Sequence, residues 1–435
     1  MNEAQNLVMS LLEKAGVADG MSILSQESGS MFRFSRNRMT VANSLEEASM
    51  TIFIRHSAGS SAAQLADLRP ESLERAVAEM VATLPEDDGE QRLPSGPFSY
   101  LASNAVELEL DGDGPVSMVL DAAEAARAEG AEQVAGTLSL SNSRISIRST
   151  RGIDASALLP QAELSMRAFL DPLSSGHGLS VSDSLSGIDP IDAGREAGSL
   201  AVACSNVVDC PPGEYEALLY PMVAADVVSQ LGRMASSFYA GIGMSFLADR
   251  IGEQVCSPLL SLEDDPTLPS TLGSRAFDDE GVPTQRRTII EDGVLRRHLH
   301  NHSSAVAADG EAGNAGLLVP KPFNLVVSPG EEDPGSMRAS MERGIVVSNM
   351  WYLRYQNYRS GDFSAIPRDA MFLVEDGEVV GAVRGLRISD NVLGMLSRIR
   401  SLSQERRWVR WWEVSTPTLC PFMHLDDLSF TRSTM

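Results

Sequence analysis

The segment at residues 273–295 constrains the fold of this chain more than any other stretch. It contains the acidic run Asp278, Asp279 and Glu280, which ends at Gly281. Glycine adopts positive φ angles at little cost, so an acidic run that ends in glycine predicts a tight turn. The turn would present three neighbouring carboxylates at one end of a β structure.

A hairpin signal follows the acidic turn. The run Thr-Ile-Ile-Glu at 288–291 has the composition of a strand. The pair Asp292 and Gly293 comes next, and Asp-Gly between apolar runs is a strong indicator of a two-residue hairpin. We therefore predict that residues 294–302 form the return strand.

Composition narrows the class of protein. The chain has 435 residues, of which 43% are hydrophobic and 22% are charged, as expected for two or three globular domains. No apolar run approaches the roughly 18 residues that indicate a membrane span, so we expect no membrane insertion. The net charge of −24 argues against nucleic-acid binding, which requires a basic surface.

The four cysteines favour a reducing compartment. They are Cys204, Cys210, Cys256 and Cys420, and none forms a Cys-x-x-Cys pair. Four cysteines in a chain of this length do not make a disulfide framework. We therefore expect reduced thiols and a cytoplasmic protein.

Hydrophobic periodicity predicts an α+β protein in three regions. Residues 1–100 read as an N-terminal α/β region, with helices at 6–15 and 68–84 around alternating strands. Residues 101–210 read as a β-rich central region that also has helices at 116–130 and 191–206, and its glycine- and serine-rich stretch at 174–183 predicts a turn between strands. Residues 211–435 form the predicted C-terminal domain, which opens with a strand and a helix at 222–240.

Several motifs resemble the TldD/PmbA (TldD/TldE) family, which is related to metallopeptidases. The run Gly-Ser-Arg-Ala-Phe-Asp-Asp-Glu-Gly-Val-Pro-Thr at 273–284 is similar to the family's signature, and the hairpin after it also matches. The Pro-Pro-Gly-Glu-Tyr run at 211–215 resembles the element that opens the family's C-terminal domain. The resemblance covers almost the whole chain and implies a PmbA/TldD-like fold.

The active half of this family carries His-Glu-x-x-x-His on the helix at 222–240. Its histidines bind Zn²⁺, and its glutamate is the general base for the metal-bound water. An ungapped count from a later Arg-Ile-Gly-Glu element places Val228, Ser229 and Arg233 at the first histidine, the glutamate and the second histidine. The sequence has no histidine between His177 and His298, so a shifted alignment does not restore the motif.

The third zinc ligand of the active half is also missing. The resemblance assigns that role to a cysteine in a glycine-rich segment, which corresponds here to residues 396–407. That segment contains no cysteine, and Cys420 lies outside the register. The resemblance therefore implies that this chain has no catalytic residue, no metal ligand and no cofactor of its own.

The resemblance implies a function in a complex. Zinc-free TldE/PmbA-like subunits pair with a TldD-like zinc metallopeptidase that carries His-Glu-x-x-x-His, and the two subunits enclose a chamber that degrades or processes unfolded or modified peptides. The zinc is then expected in the partner, and whether this chain counts as an enzyme stays open. The alternatives are a stand-alone, non-peptidase enzyme with the same fold and a structural homodimer.

Some residues are candidates for the wall of such a chamber. Arg233 could anchor a peptide carboxylate, although a solvated helix arginine is the plainer interpretation. The signature element suggests that Asp278, Asp279 and Glu280 lie near a substrate channel, whereas composition alone favours a solvated turn. We therefore predict that Arg233 and the turn at residues 278–280 face the substrate.

Two further clusters have competing interpretations. His298, His300 and His302 alternate along the predicted return strand, so they would share one face and could bind a metal, although neighbours in such a row lie about 7 Å apart. We favour a surface or interface role, with His300 as a candidate chamber residue. The tail contains an aromatic and basic run, for which we expect a packed C-terminal helix or a subunit interface: Arg406, Arg407, Trp408, Arg410, Trp411 and Trp412.

Overall fold

The computed structural model describes residues 2–56, 59–84, 92–308 and 310–433. It has the α+β architecture that the sequence predicts, with helices packed against two large sheets. The first sheet has six strands and the second has thirteen. Among the described residues, no helix combines the length and the apolarity that a bilayer crossing requires.

The first sheet is antiparallel and has the strand order β3-β2-β1-β4-β5-β6. It draws strands from both the predicted N-terminal and central regions. The predicted turn at 174–183 is wrong, because this stretch pairs with the preceding strand and forms the sheet's edge. The strands are β1 Asp19–Ser35, β2 Arg38–His56, β3 Gly59–Leu65, β4 Gln133–Ser149, β5 Asp154–Asp171 and β6 Ser174–Ser182.

Helices cover one face of the first sheet. Strand side chains point alternately to the two faces, and even-numbered residues of β1 such as Leu24 and Phe32 pack into apolar clusters with the helices. Odd-numbered Met21 packs in a different cluster, on the opposite face. The helices are α1 Asn2–Lys14, α2 Pro70–Ala82, α3 Asp113–Ala128 and α4 Pro190–Ala203, with a 3₁₀ turn at Leu185–Gly187.

The second sheet is built around a long C-terminal strand. This strand, β19, pairs with four others, and two of the sheet's pairings, β11 with β19 and β7 with β12, are parallel. The strands are β7 Gly213–Leu219, β8 Leu262–Asp264, β9 Arg287–Glu291, β10 Val294–Leu295, β11 Leu325–Val327, β12 Arg343–Val347, β13 Trp351–Asn357, β14 Asp362–Ile366, β15 Met371–Glu375, β16 Glu378–Ala382, β17 Leu386–Asn391, β18 Ile399–Trp411 and β19 Val414–Arg432. The helices are α5 Pro221–Met234, α6 Ser237–Gly241, α7 His302–Ala308, α8 Pro334–Ala339 and α9 Val392–Ser397.

One backbone contact explains two wrong predictions. The predicted helix at 222–240 is interrupted between α5 and α6, and the return strand predicted at 294–302 ends at Leu295. The N–H of Leu299 donates to the carbonyl of Ala235, and the N–H of Ser237 donates to the carbonyl of Leu299, at 2.8 and 3.0 Å. The return segment therefore bonds to the end of α5 instead of extending the hairpin.

The helix expected in the C-terminal tail is also wrong. Residues 399–411 form β18, which pairs with β19 across a turn at Trp412 and Glu413. Local composition did not decide between helix and strand, because the arginines of this run favour a helix whereas its tryptophans and Val409 favour a strand. The long partner strand supplies the ladder that decides the conformation.

Candidate functional site

Helix α5 holds the positions that align with the zinc motif. Pro221 occupies its first turn, where proline is well tolerated, and most of the helix is buried in the main core. Val228 is 0% exposed, and the hydroxyl of Ser229 donates to the carbonyl of Asp226 at 2.9 Å. Zinc sites use imidazole, thiolate or carboxylate ligands, so the residues at these positions do not fit a zinc ion.

Arg233 lies on the exposed side of α5. Its guanidinium donates to the hydroxyl of Tyr239 at 3.1 Å and lies over the ring of that tyrosine, 5.1 Å from the centroid. Phe238 and Ile242, which are 42% and 52% exposed, lie on the neighbouring segment. The arginine is thus braced by an aromatic ring and remains reachable by a ligand.

Asp226 is a feature of α5 that sequence reasoning missed. The residue is fully buried, and neither carboxylate oxygen has a hydrogen-bond partner among the described residues. Burial raises the pKa of Asp226 well above its ordinary value, the nearby Glu413 raises it further, and Arg354 opposes the shift. The helix therefore holds, two residues before Val228, a buried acid whose charged form is disfavoured by its surroundings.

The loop at residues 273–284, which we call the signature loop, joins the two sheets. Phe277 is 2% exposed and packs in a cluster with Met21 and Ile153 of the first sheet's region. The hydroxyl of Tyr100 donates to the carbonyl of Gly281 at 2.8 Å. Gly281 has a φ angle of +77°, and a Cβ atom there would lie 2.6 Å from Ile153, so the turn requires glycine.

The acidic side chains of this loop are engaged within the protein. The solvated turn favoured by composition is wrong, because Asp278 and Glu280 are 0% and 2% exposed. One carboxylate oxygen of Asp278 accepts the N–H groups of Glu280 and Val282, both at 2.9 Å. Glu280 accepts the N–H of His302 at 2.7 Å and so ties the loop to the start of α7.

The charges of the three acids differ. Burial raises the pKa of Asp278 to about 7 and raises that of Glu280 well above its ordinary value. Burial also tends to raise the pKa of Asp279. The positive charges of Arg275 at 3.0 Å and Lys321 at 2.8 Å outweigh this effect and hold the pKa of that carboxyl below its ordinary value. Asp279 is therefore ionised at neutral pH, whereas burial disfavours the charged forms of Asp278 and Glu280.

The three histidines do not share a strand face. His298 Nδ1 lies 3.2 Å from the carbonyl oxygen of Ala235, His300 Nδ1 lies 3.2 Å from the hydroxyl of Ser304, and His302 begins α7. His298 and His300 line a cavity of about 370 Å³. In the parts of the chain that the structure describes, no three His, Cys, Asp or Glu side chains converge as a metal site would require.

The tryptophan run packs against Trp351 of the second sheet, and Trp411 also contacts His177 of the first sheet. Trp411 is 5% exposed, Trp408 is half-buried and Trp412 is 62% exposed. The rings of Trp351 and Trp411 are 5.0 Å apart, and those of Trp351 and Trp412 are 5.4 Å apart. Of the predicted interface residues, Trp412 offers the largest exposed surface.

Arginines of the same run bind acids on other elements. Arg410 lies 2.7 Å from Glu163 on β5, and Arg407 lies 2.9 Å from Glu196 on α4. Arg406 donates to the carbonyl of Val327 at 2.9 Å. The contacts of Arg410 and Arg407 attach the β18–β19 hairpin to the first sheet and to α4, whereas that of Arg406 ties it to β11 of the second sheet.

A groove of about 980 Å³ runs between this hairpin and the open face of the first sheet. Its floor consists mostly of small and polar side chains from β1, β2, β4 and β5, and its other side is formed by Trp411 and Trp412. The apolar side chains of Met31 and Leu45, 36% and 47% exposed, lie along the floor. The arrangement suits an extended chain better than a compact ligand.

A buried polar network lies beside the groove. His177 Nε2 is 3.0 Å from the hydroxyl of Ser165, and Nδ1 is 3.2 Å from the amide nitrogen of Asn349. Asn349 also donates to the carboxylate of Asp369, which accepts from Arg167 as well. The chain of contacts resembles a serine nucleophile with its histidine.

The tautomer of His177 excludes that chemistry. The backbone N–H of Asp369 donates to the amide oxygen of Asn349, which fixes the orientation of that amide. The amide nitrogen then donates to Nδ1 of His177, so the proton lies on Nε2 and points at Ser165. A histidine that donates to the serine cannot remove its proton, and the network is therefore structural.

Sequence reasoning missed this network because its members are far apart in the chain. One local signal was available, since His177 is flanked by Gly176 and Gly178. A Cβ atom at these glycines would lie 2.2 Å from the carbonyl of Ala197 and 1.9 Å from that of Ala193. The Gly-His-Gly run thus lets α4 press against β6 and bury the imidazole.

The comparisons with known proteins agree with this architecture. Residues 212–432 match the family described as PmbA/TldA metallopeptidase C-terminal domain. A metalloprotease of Methanocaldococcus jannaschii is 26% identical over 221 residues, which cover 48% of this chain and 48% of the relative. The metalloprotease PmbA of Escherichia coli O157:H7 is 30% identical over 162 residues, 37% of this chain and 34% of the relative.

A solved structure extends the similarity to the whole fold. TldE from Thermococcus kodakarensis superimposes with a TM-score of 0.86 at 20% identity, over 98% of this chain and 100% of that one. The matches to the two metalloproteases, by contrast, span half or less of their lengths. The fold and the family match define a metallopeptidase-related α+β protein. Because the match covers just over half of the 435 residues, the chain belongs to the PmbA/TldD family.

Proposed function

We propose that this chain is a metal-free, TldE/PmbA-like subunit that pairs with a TldD-like zinc metallopeptidase carrying His-Glu-x-x-x-His. The observation that carries the proposal is the composition of α5, where the aligned positions hold Val228, Ser229 and Arg233. None of these supplies a neutral imidazole or a general base. The likeness in fold to an archaeal TldE supports the same assignment.

In this assembly the partner holds the zinc and performs the hydrolysis of unfolded or modified peptides. The present chain contributes a wall of the chamber, and we place an extended peptide in the groove of about 980 Å³ beside Trp411 and Trp412. Arg233 remains a candidate anchor for a peptide carboxylate. Four unpaired, buried cysteines support a cytoplasmic location.

Purification of the chain from its own host, followed by mass spectrometry and zinc analysis, tests the proposal. We expect a stoichiometric partner with His-Glu-x-x-x-His and one zinc ion per pair. Peptidase activity on an unfolded peptide should require both subunits. Replacement of the motif's glutamate by glutamine in the partner is the matched control and should abolish activity without separating the subunits.

Other outcomes would contradict the proposal. A homodimer with stoichiometric metal would indicate a stand-alone enzyme, and a metal-free homodimer without a partner would indicate a structural protein. Hydrolysis by the isolated chain at the rate of the pair would also refute it.

A further inference from the structure

More than half of strand β2 has an unpaired edge. β2 pairs with β1 along almost all of its length, from Arg38 to Arg55. On its other side it pairs with β3 only between Met50 and His56. No described strand pairs with residues 38–49 on that side, and we call this stretch the free edge. At about 3.3 Å per residue its twelve residues are roughly 40 Å long.

The free edge lacks several of the devices that protect strand edges. Natural proteins guard exposed edges with proline, charged side chains such as lysine, bulges or covering elements. Residues 38–49 contain neither proline nor lysine, and the one register shift between β1 and β2 lies near the turn, next to Met39. Residues 42–47 are all exposed. Its backbone N–H and C=O groups are therefore open to another strand.

The free edge borders the groove. Residues 42–45 line it together with β1, β4, β5 and Trp412. The pairing register places Leu45 opposite Gly29 and Asn43 opposite Met31, and Gly29 and Met31 also line the groove. A strand added to this edge would widen the floor of the groove, with every second side chain facing Trp412.

The acidic residues beside the edge lack counter-charges. Glu47 lies directly opposite Glu27 on β1, and like charges in this arrangement are unfavourable. Among the described residues, no ion pair within 4.0 Å includes Glu27, Glu46 or Glu47. A cationic side chain on an added strand would relieve this repulsion.

We propose that the free edge of β2 binds an extended segment of the peptide substrate by strand addition. On the added strand, the residues opposite Leu45 and Glu47 face the groove and are two positions apart. The best segment therefore has an apolar residue opposite Leu45 and an arginine or lysine opposite Glu47. The inference rests on the proposed function in taking the occupant to be a substrate peptide. It adds the binding site and the side-chain preference.

A peptide fits this edge better than a second copy of the chain does. Residues 38–49 contain one arginine and two glutamates, so a second copy would bring an edge that is also acidic. Each copy also carries a net charge of −24. Backbone pairing supplies affinity at such an edge, and the alternate side chains supply specificity.

Fluorescence anisotropy of the isolated full chain tests the backbone contact. The probe is a fluorescein-labelled, ten-residue peptide of serine and threonine with one leucine and one arginine two positions apart. Two derivatives carry N-methyl groups on alternate residues, so that each loses the hydrogen-bond donors of one edge. We expect one derivative to lose binding and the other to keep it, and equal behaviour of the two would overturn the proposal.

A charge exchange tests the register. Glu47→Arg should weaken binding of the arginine peptide roughly ten-fold, and a peptide with glutamate in place of arginine should recover that loss. Glu74→Arg, on the exposed side of α2, makes the same charge change away from the groove and should leave binding nearly unchanged. Equal loss in both variants would refute a specific site and leave only general electrostatic attraction.

Hydrogen exchange distinguishes a bound peptide from a second copy of the chain as the occupant of the free edge. Within residues 38–49, we expect the amides that point away from β1 to exchange fast in the isolated chain and to be protected by the peptide, whereas those bonded to β1 should be protected in both states. Protection without peptide that rises with protein concentration would assign the edge to a second copy and overturn the proposal. Failure of peptide binding in a chain that still captures its metallopeptidase partner would refute this inference and leave the proposed function intact.

Discussion

The ion pair between Arg167 and Asp369 should be a main support of the contact between the two sheets. Arg167 lies on β5, and Asp369 lies in the loop before β15. The carboxylate is 0% exposed and also accepts from the hydroxyl of Ser175 at 2.7 Å. Burial raises the pKa of Asp369, but Arg167 outweighs it, so the pKa stays below its ordinary value and the group is ionised.

Asp369→Ala should lower the free energy of unfolding by about 3 kcal/mol. Removing one partner of a buried ion pair costs about 3–5 kcal/mol, because the other charge stays unpaired. We take the lower end because 26% of the Arg167 side chain is exposed and water can partly solvate it. Urea titration followed by tryptophan fluorescence measures the change, because Trp351 stacks on the neighbouring His177 and Trp411 contacts the same ring edge to face.

Asp426→Ala is the matched control. Asp426 is 60% exposed and lies 4.0 Å from Arg400, which is 48% exposed, so its loss should cost less than about 1 kcal/mol. The double variant of Arg167 and Asp369 should be more stable than the sum of the single changes predicts. Equal effects of Asp369→Ala and Asp426→Ala would show that the buried network does not hold the sheets together.

Three further predictions concern the signature loop and the buried histidine. Phe277→Ala should lower the free energy of unfolding by about 3–5 kcal/mol, whereas Phe238→Ala, at a side chain 42% exposed, should cost far less in the same urea titration. Burial raises the pKa of Asp278 from 3.8 to about 7, so the free energy of unfolding of the parent should fall by up to about 4 kcal/mol as the pH rises from 4 to 7. The same pH series on Asp278→Asn should lack this loss. Burial lowers the pKa of His177 from 6.5 to about 4, so the unfolded chain binds a proton at a higher pH than the folded chain does. The free energy of unfolding of the parent should therefore fall by about 3 kcal/mol as the pH falls from 6.5 to 4. A His177→Gln variant that shows the same loss would contradict this cause.

Local signals predicted much of the secondary structure. The hairpin turn predicted at Asp292 and Gly293 is confirmed between β9 and β10, and the helices predicted at 116–130 and 191–206 correspond to α3 and α4. These elements are determined by turn residues and by apolar periodicity, which act over a few residues. The motifs that indicated the family are equally local, and the family match over residues 212–432 confirms that part of the interpretation.

The errors arise where distant segments compete for the same backbone groups. Leu299 bonds to the end of α5, so the return strand is short and the three histidines lose their common face. Trp408 and Trp411 lie on a strand because β19 is available as a partner. Periodicity within a short window contains no information about such partners.

The sequence by itself determined the family and the helices with strong periodicity, and the resemblance led us to expect Val228, Ser229 and Arg233 in place of the zinc motif. These conclusions depend on residue types at fixed spacings. Tertiary structure decided that Asp278 and Glu280 are buried, that His177 donates to Ser165, and that residues 38–49 present a free edge. Burial, tautomer and strand pairing are set by neighbours that lie far away in the chain, so only the folded protein could reveal them.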